Sequence, residues 1–304
     1  MEPVQVCIGF KILRTSHEMK LSPIIAGTMK WGAWGARLDA KGFATNIHAA
    51  LEAGIHTFDH ADIYGGYTTE ADFGAGFVES SVDRSAVVFI TKCGIRYPEG
   101  NNPAQVKHYD YSAAHIRQSA ENSLRYLRTD YIDIFLLHRP SPLLDAEEAI
   151  GALEQLKSEG KIREWGVSNF TAPQMDRLAA ITPPAWNQIE CSLTHTAPML
   201  DGTLDAMQTK NTGGMAWSPL GSVFQNSPEA QRLKPVLERL SEQYECTTAQ
   251  LVLAWLHRHP SGIIPVIGTT QPNRIQELAA AHRIQLDTLD WFALTEASWG
   301  HKVP

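Results

Sequence analysis

Residues 57–64 read TFDHADIY, with Gly65 and Gly66 directly behind them. A β-prone run ends on a carboxylate, Asp59, and a short turn then delivers the phenol of Tyr64. A strand end that carries an acid and a tyrosine into one loop is an uncommon arrangement if packing is its only purpose. Working outward, VVFITK (87–92) and IDIFLLH (132–138) are apolar runs that also end on polar groups, Lys92 and His138. VVFITK shows no polar alternation, which is the pattern of a strand covered on both faces.

The same unit recurs along the chain. A strand IIAGT starts at Ile24 and gives way to a loop rich in Gly and Trp. Phe43, Ile47, Ala50 and Leu51 stand at helical spacing over 41–53, with Gly54 as the stop. After IHTFD a helix opens at Thr68 or Thr69 and runs through Val78, with Glu70 and Asp72 in the first turn, where the helix dipole favours acids. A long loop covers 93–111. Ser112 caps a helix to about Arg128, and Asp145 caps one over 146–158 that ends at Gly160. EWGVS is a strand, Thr171 opens a helix with Pro173 in its first turn, and WNQIE is the next strand. A helix near 203–210, the strand GMAWS, a loop from Pro219 to Pro235 and a helix over 235–244 follow. Helix 248–258 leads to the strand GIIPVIG, Pro272 opens another helix, and a short one near 288–297 finishes the chain. Residues 5–20 read as a hairpin or irregular cap.

About eight strands alternating with helices predict parallel β/α units closed into a (β/α)8 TIM barrel, an α/β fold with a short N-terminal hairpin and a C-terminal helix. No linker or composition shift divides the chain, so residues 1–304 read as one barrel domain. A doubly wound open sheet fits less well, because no GxGxxG follows an early strand.

Composition narrows the function. The chain has 304 residues, 43% hydrophobic and 19% charged, ordinary for a globular enzyme. A net charge of −7 and a pI near 5.9 argue against nucleic acid as a partner. No window approaches a transmembrane span, and MEPVQVCIGFK has no signal-peptide pattern. Cys7, Cys93, Cys191 and Cys246 are scattered, which fits reduced thiols and a cytoplasmic location. Cys93 adjoins Lys92 but points to the opposite face of a strand, into the core.

In a barrel, the ends of successive strands meet at one mouth. Asp59, Lys92 and His138 fall there on the second, third and fourth strands, with Tyr64 in the loop after the second. A free phenol titrates near pH 10. A lysine close to it favours the phenolate, and a carboxylate keeps the lysine charged and oriented. A neighbouring histidine can donate a hydrogen bond to a carbonyl oxygen on which negative charge develops. The set predicts proton delivery to a carbonyl oxygen as hydride reaches the carbon. Lys92 alone would also suit the Schiff base of a barrel aldolase.

The spacing Asp59–Tyr64–Lys92–His138, set in HADIYG, TKCG and LLHRP, resembles the tetrad of the aldo-keto reductases over nearly the whole chain. Within that family HADIYGGY, KCGI, HRP, GVSNFT, LDGTLD, AWS and the terminal VP most resemble the bacterial oxidoreductase YdhF subgroup. The resemblance implies reversible, NADPH-dependent reduction of aldehydes and ketones, with Tyr64 as proton donor, Asp59 and Lys92 tuning it, and His138 orienting the carbonyl. It also implies the cofactor's contacts. Ser168, Asn169 and Gln188 would bond the nicotinamide carboxamide, and Trp217 would stack on its ring. The run Ser218, Pro219, Leu220, Gly221 and Ser222 would face the pyrophosphate, and Gly27, Thr28 and Met29 would lie against the cofactor beside Asp59. Gly268, Thr269, Thr270 and Arg274 belong to a strand–loop–helix segment suited to a phosphate, and the last three match positions that hold the adenosine 2′-phosphate. The chain departs from the family in having Gly268 where many members carry lysine, and Leu278 where an asparagine often meets adenine.

Pocket walls are expected from Trp31, Trp34, Tyr97 and the 98–111 loop, Phe224 and Trp299 around Tyr64 and His138, giving an aromatic site for carbonyl compounds with an apolar body. HRH (257–259) lacks a third ligand at zinc spacing, so no metal is expected. The family also contains channel-associated members, so the alternative is an NADP(H)-binding regulatory or interaction module with little turnover.

Overall fold

A computed structural model describes residues 19–98 and 105–304. Eight parallel strands follow one another around a closed barrel. They are β1 Ile25–Gly27, β2 Thr57–Asp59, β3 Val88–Cys93, β4 Ile132–Leu137, β5 Ile162–Ser168, β6 Trp186–Glu190, β7 Gly213–Trp217 and β8 Ile264–Ile267. The barrel closes where Ile25 of β1 pairs with Val266 of β8. Every residue of β3 and β4 is buried, as unalternated apolar runs require when both faces are covered.

The side-chain period of two sorts each strand into an inner and an outer face. Ile25, Ile90, Ile134, Leu136, Trp186, Met215 and Val266 pack with one another inside the barrel. Their outward neighbours, Phe89, Phe135, Val167 and Ala216 among them, pack under the helices. Cys93 lies in that outer layer, as its place on β3 predicts.

Helix ends follow their capping residues. Helices Ala113–Leu127 and Ala146–Ser158 start behind Ser112 and Asp145, whose side chains accept the His115 and Glu148 N–H groups. The helix expected from Pro235 instead begins at Pro228. The Ser227 hydroxyl caps it by accepting the Ala230 N–H, and Pro235 sits inside the helix. The loop 93–111 contains an antiparallel ribbon, Ile95–Arg96 with His108–Tyr109, and a short helix, Ala197–Leu200, precedes Thr203–Thr209. The last helix, Thr288–Trp299, lies where expected. The hairpin read over 5–20 falls outside the described residues apart from Met19 and Lys20. No helix among the described residues is long and apolar enough to cross a membrane.

Candidate active site

Alternation that fills the barrel also builds its mouth. Two residues beyond Ile90 on the same face stands Lys92, and two beyond Leu136 stands His138. By the same step Trp186 leads to Gln188, Met215 to Trp217, and Val266 to Gly268. The polar groups at the mouth therefore form a layer above the apolar one.

Lys92 is fully buried and all three of its ammonium protons find acceptors. Nζ donates to Asp59 Oδ2 at 2.8 Å, to the His60 carbonyl at 2.6 Å and to the Tyr64 hydroxyl at 3.2 Å. The other Asp59 oxygen accepts from Gln188 Nε2 at 2.7 Å. The Tyr64 ring stands between those of His138 and Trp34, at centroid distances of 6.1 and 6.2 Å. The chain leaves Tyr64 through Gly65 at φ +64°, where a Cβ would lie 2.5 Å from Thr69 Oγ1, so only glycine fits this turn.

Burial decides the protonation states. It raises the Tyr64 pKa above its ordinary value, and the opposing pull of Lys92 does not reverse this. The lowering expected from the lysine's proximity is corrected by this balance: Tyr64 is a neutral phenol that holds its proton, as a donor must. Burial also works against the charge on Lys92, but Asp59 and Tyr64 outweigh it and the lysine's pKa is raised. His138 is held well below the usual imidazole range by burial, then by Lys92, Arg139 and Lys107. The site therefore presents a protonated phenol and a neutral imidazole. His60 is buried edge-on against Phe73, at 4.2 Å between centroids, and its Nδ1 meets the Thr28 hydroxyl at 2.9 Å. It belongs to the wall behind Asp59.

These groups open on a cleft of about 780 Å³. Gly27, Met29, Asp59, Tyr64, His138, Ser168, Asn169, Gln188 and Gly268 line it, with Trp217, Ser218, Pro219, Leu220 and Gly221 along one side and Trp34 and Tyr97 among the walls. Trp217 Nε1 donates to Asn169 Oδ1 at 2.8 Å, and Asn169 Nδ2 donates to the Ser168 hydroxyl at 2.8 Å. These bonds hold the indole upright beside the amide groups.

Several expected positions lie elsewhere. Trp31 is not a pocket wall: it is fully buried among Phe43, Phe58 and Phe73, and its indole N–H donates to the Thr269 carbonyl. Thr28 is likewise buried, its hydroxyl donating to the Asp59 carbonyl at 3.0 Å. Phe224 is exposed outside the cleft lining, and Trp299 donates to Thr196 Oγ1 at the end of the last helix. In the 218–222 loop the Gly221 N–H is used by the Ser218 carbonyl and the Ser222 N–H by Thr194 Oγ1. Pro219 has none, which leaves at most Ser218 and Leu220 as backbone donors. Thr269, Thr270 and Arg274 flank the start of helix Pro272–Ala279 beside Gly268 without lining the cleft, and Arg274 meets Glu277 at 3.4 Å. Leu278, at the position where the resemblance places an asparagine in many members, is buried in the core.

The Aldo/keto reductase family profile matches residues 23–298. The chain belongs to this family. A 6-dehydroglucose reductase of Agrobacterium fabrum is 40% identical over 95% of this chain and 98% of that protein. Oxidoreductase YdhF of Escherichia coli is 37% identical over 90% of this chain and 93% of that protein. Among solved structures, a Bombyx mori aldo-keto reductase in complex with NADP superposes with a TM-score of 0.76 at 25% identity, covering 92% of this chain and 90% of that one. The family read from HADIYGGY and HRP is thereby established, with YdhF among its relatives.

A dinucleotide fits the residues of this reductase. Ser168, Asn169 and Gln188 offer both donors and acceptors for an amide on the cleft floor. The floor is open at Gly268, where an added Cβ would meet nothing within 4 Å, and Lys30 brings a cation to the β1 end. Lys30 and Arg139 line the cleft without having been expected there. Arg139 carried a signal, since it directly follows His138 at a strand end. Lys107 and Tyr109 belong to the 98–111 loop expected as a wall, of which 99–104 lie outside the described residues, and they reach the mouth through a ribbon that no local pattern announced.

Proposed function

We propose that this aldo-keto reductase reduces aldehydes or ketones to alcohols with NADPH, Tyr64 giving the proton. When bound in the cleft, NADPH supplies the hydride. The observation that carries the reading is the Tyr64 hydroxyl, protonated by burial and 3.2 Å from Lys92, opening on the same cleft as a neutral His138. A carbonyl oxygen between Tyr64 and His138 receives hydrogen bonds from both, and as charge develops on it the Tyr64 proton transfers. Lys92, anchored by Asp59, then faces the nascent phenolate and stabilises it. Gln188 fixes the second Asp59 oxygen and so holds the lysine's partner in place. Ser168, Asn169 and Gln188 would hold the carboxamide, Trp217 the ring, Lys30 and the 218–222 loop the pyrophosphate, and Thr269, Thr270 and Arg274 the 2′-phosphate. The relatives described as oxidoreductases, one of them acting on 6-dehydroglucose, support carbonyl reduction as the reaction class.

Loss of NADPH absorbance with a small aromatic aldehyde tests this. The parent should turn over, while Tyr64→Phe should retain NADPH binding and lose roughly 10²–10⁴-fold in kcat. Equal rates for the two proteins would remove Tyr64 from the reaction. Tight NADPH binding with no turnover of any carbonyl by the parent would favour a regulatory module.

A further inference from the structure

The charged residues lining the cleft are Lys30, Asp59, Lys107 and Arg139. Asp59 is committed to Lys92 and Gln188. Three cations therefore gather at the mouth of a chain whose net charge is −7. Lys30 follows β1, at the end of the cleft assigned above to the cofactor's phosphates. Arg139 and Lys107 are placed differently.

Arg139 lines the same cleft as Tyr64 and His138, where a carbonyl would react. Its backbone is gripped on both sides by one buried hydroxyl: Tyr111 accepts the Arg139 N–H at 2.9 Å and donates to the Arg139 carbonyl. The guanidinium reaches across to the Trp217 ring, 5.3 Å from its centroid, and Lys107 Nζ lies 5.0 Å from the Tyr97 ring. Aromatic faces are the partners of both cations. Among the described residues neither has a carboxylate at salt-bridge distance. Both charges are felt at His138, behind burial and Lys92, and Arg139 is felt at Tyr64 as well. Both cations line the cleft that holds the reacting position, Arg139 half-buried and Lys107 exposed at the rim.

We propose that Arg139, assisted by Lys107, makes this cleft selective for carbonyl substrates that carry an anionic group, such as a carboxylate, phosphate or sulfonate, remote from the carbonyl. The inference rests on the reductase reading above and names its substrate class. A planar guanidinium bonds two oxygens of such a group at once. An anion there also offsets the mutual repulsion of Arg139, Lys107 and Lys92, which a neutral body leaves in place. The pocket of aromatic walls and apolar body expected from sequence is modified accordingly: Trp34, Tyr97 and Tyr109 are its apolar sides, and its rim is cationic.

The test compares 4-carboxybenzaldehyde with 4-formylbenzamide, which match in shape and differ by one charge. With NADPH in excess at low salt, kcat/KM should favour the acid by about tenfold or more, and the ratio should shrink as salt is added. Arg139→Gln should bring the ratio to near one, whereas Arg139→Lys, which keeps the charge, should retain part of it. Should Arg139→Gln fail to fold, Lys107→Gln takes its place, with a ratio reduced about threefold or more expected. Equal kcat/KM for the two aldehydes in the parent, or a ratio that survives these substitutions, overturns the proposal while leaving the reductase reading intact. If the parent binds NADPH and turns over neither aldehyde nor any other carbonyl, the reductase reading fails by itself. Quenching of tryptophan fluorescence then decides the anion site, with terephthalate binding more tightly than terephthalamide if it exists and no more tightly if it does not.

Discussion

At the Tyr64 hydroxyl two influences oppose each other: burial keeps the proton on, and the Lys92 cation favours its departure. Burial wins, so the phenol remains a donor through neutral pH and well above it. His138 lies on the other side of the same scale, since burial and the cations around it keep the imidazole uncharged until well below its ordinary value. For the proposed reduction, kcat/KM should therefore be level from about pH 6 to about pH 9 and fall only at alkaline pH, as Tyr64 begins to ionise above its usual value near 10. An acidic limb with a midpoint near 6.5 would mean that His138 titrates as an ordinary surface histidine and would remove the neutral-imidazole argument. The spacing of HADIY, TK and LLH was enough to bring these side chains together on paper. The sign of the phenol's shift was not legible there, because depth of burial depends on what covers a side chain. Trp31 shows the same limit: its partner, the Thr269 carbonyl, is 238 positions away, and that contact turns an expected pocket residue into core.

Between strand and site stand a few supporting elements whose role is positional. Gly94, just after β3, adopts φ +110°, and a Cβ there would come within 2.0 Å of the Tyr111 ring. Tyr111 in turn holds the Arg139 backbone next to His138. Gly94→Ala must displace that ring, so it should lower both stability, by about 2 kcal/mol or more, and kcat. Normal activity in this variant would show that the Tyr111 bonds do not position the strand end. Helix Thr69–Ser80 supplies a second case. Its buried Glu70 accepts hydrogen bonds from Thr91 and Ser123, yet burial raises its pKa to about 7. An acid whose folded value exceeds its unfolded one stabilises the fold most while both states are protonated, below about pH 4.5, and that contribution is lost as pH rises through 7. Glu70→Gln should accordingly gain on the parent between pH 5 and pH 8, by up to roughly 3 kcal/mol in denaturant titrations. A gap independent of pH would show that Glu70 does not titrate in this window. Strands and capped helices such as Ala146–Ser158 were legible because period and cap are local signals. The ribbon of Ile95–Arg96 with His108–Tyr109 was not, since its register is set by pairing across a loop.

For the molecule as a whole, the barrel separates chemistry at one end from stability at the other. At the end opposite the tetrad, Arg84 donates to Asp133 Oδ2 at 2.6 Å and to the carbonyls of Val87 and Tyr131, with its guanidinium 4.1 Å from the centroids of both Phe89 and Tyr131. The same Asp133 oxygen accepts the Phe89 N–H at 2.8 Å, and the other lies 3.6 Å from Arg163 Nε. One carboxylate thus ties the first turns of β3, β4 and β5 together. Its side chain is only 7% exposed and that of Arg84 17%, so removing the acid strands a mostly buried cation and an unpaired backbone N–H. Asp133→Ala should cost about 3 kcal/mol in denaturant unfolding. Below the transition it should leave kcat/KM within about twofold, because no bond of the network reaches Tyr64, Lys92 or His138, the residues proposed above as catalytic, which stand at the other end of the barrel. Unchanged stability would show that Arg84 and Arg163 find other acceptors. A fall in kcat/KM at unchanged folded fraction would show instead that the strands transmit the loss along their length, and the separation of the two ends would not hold.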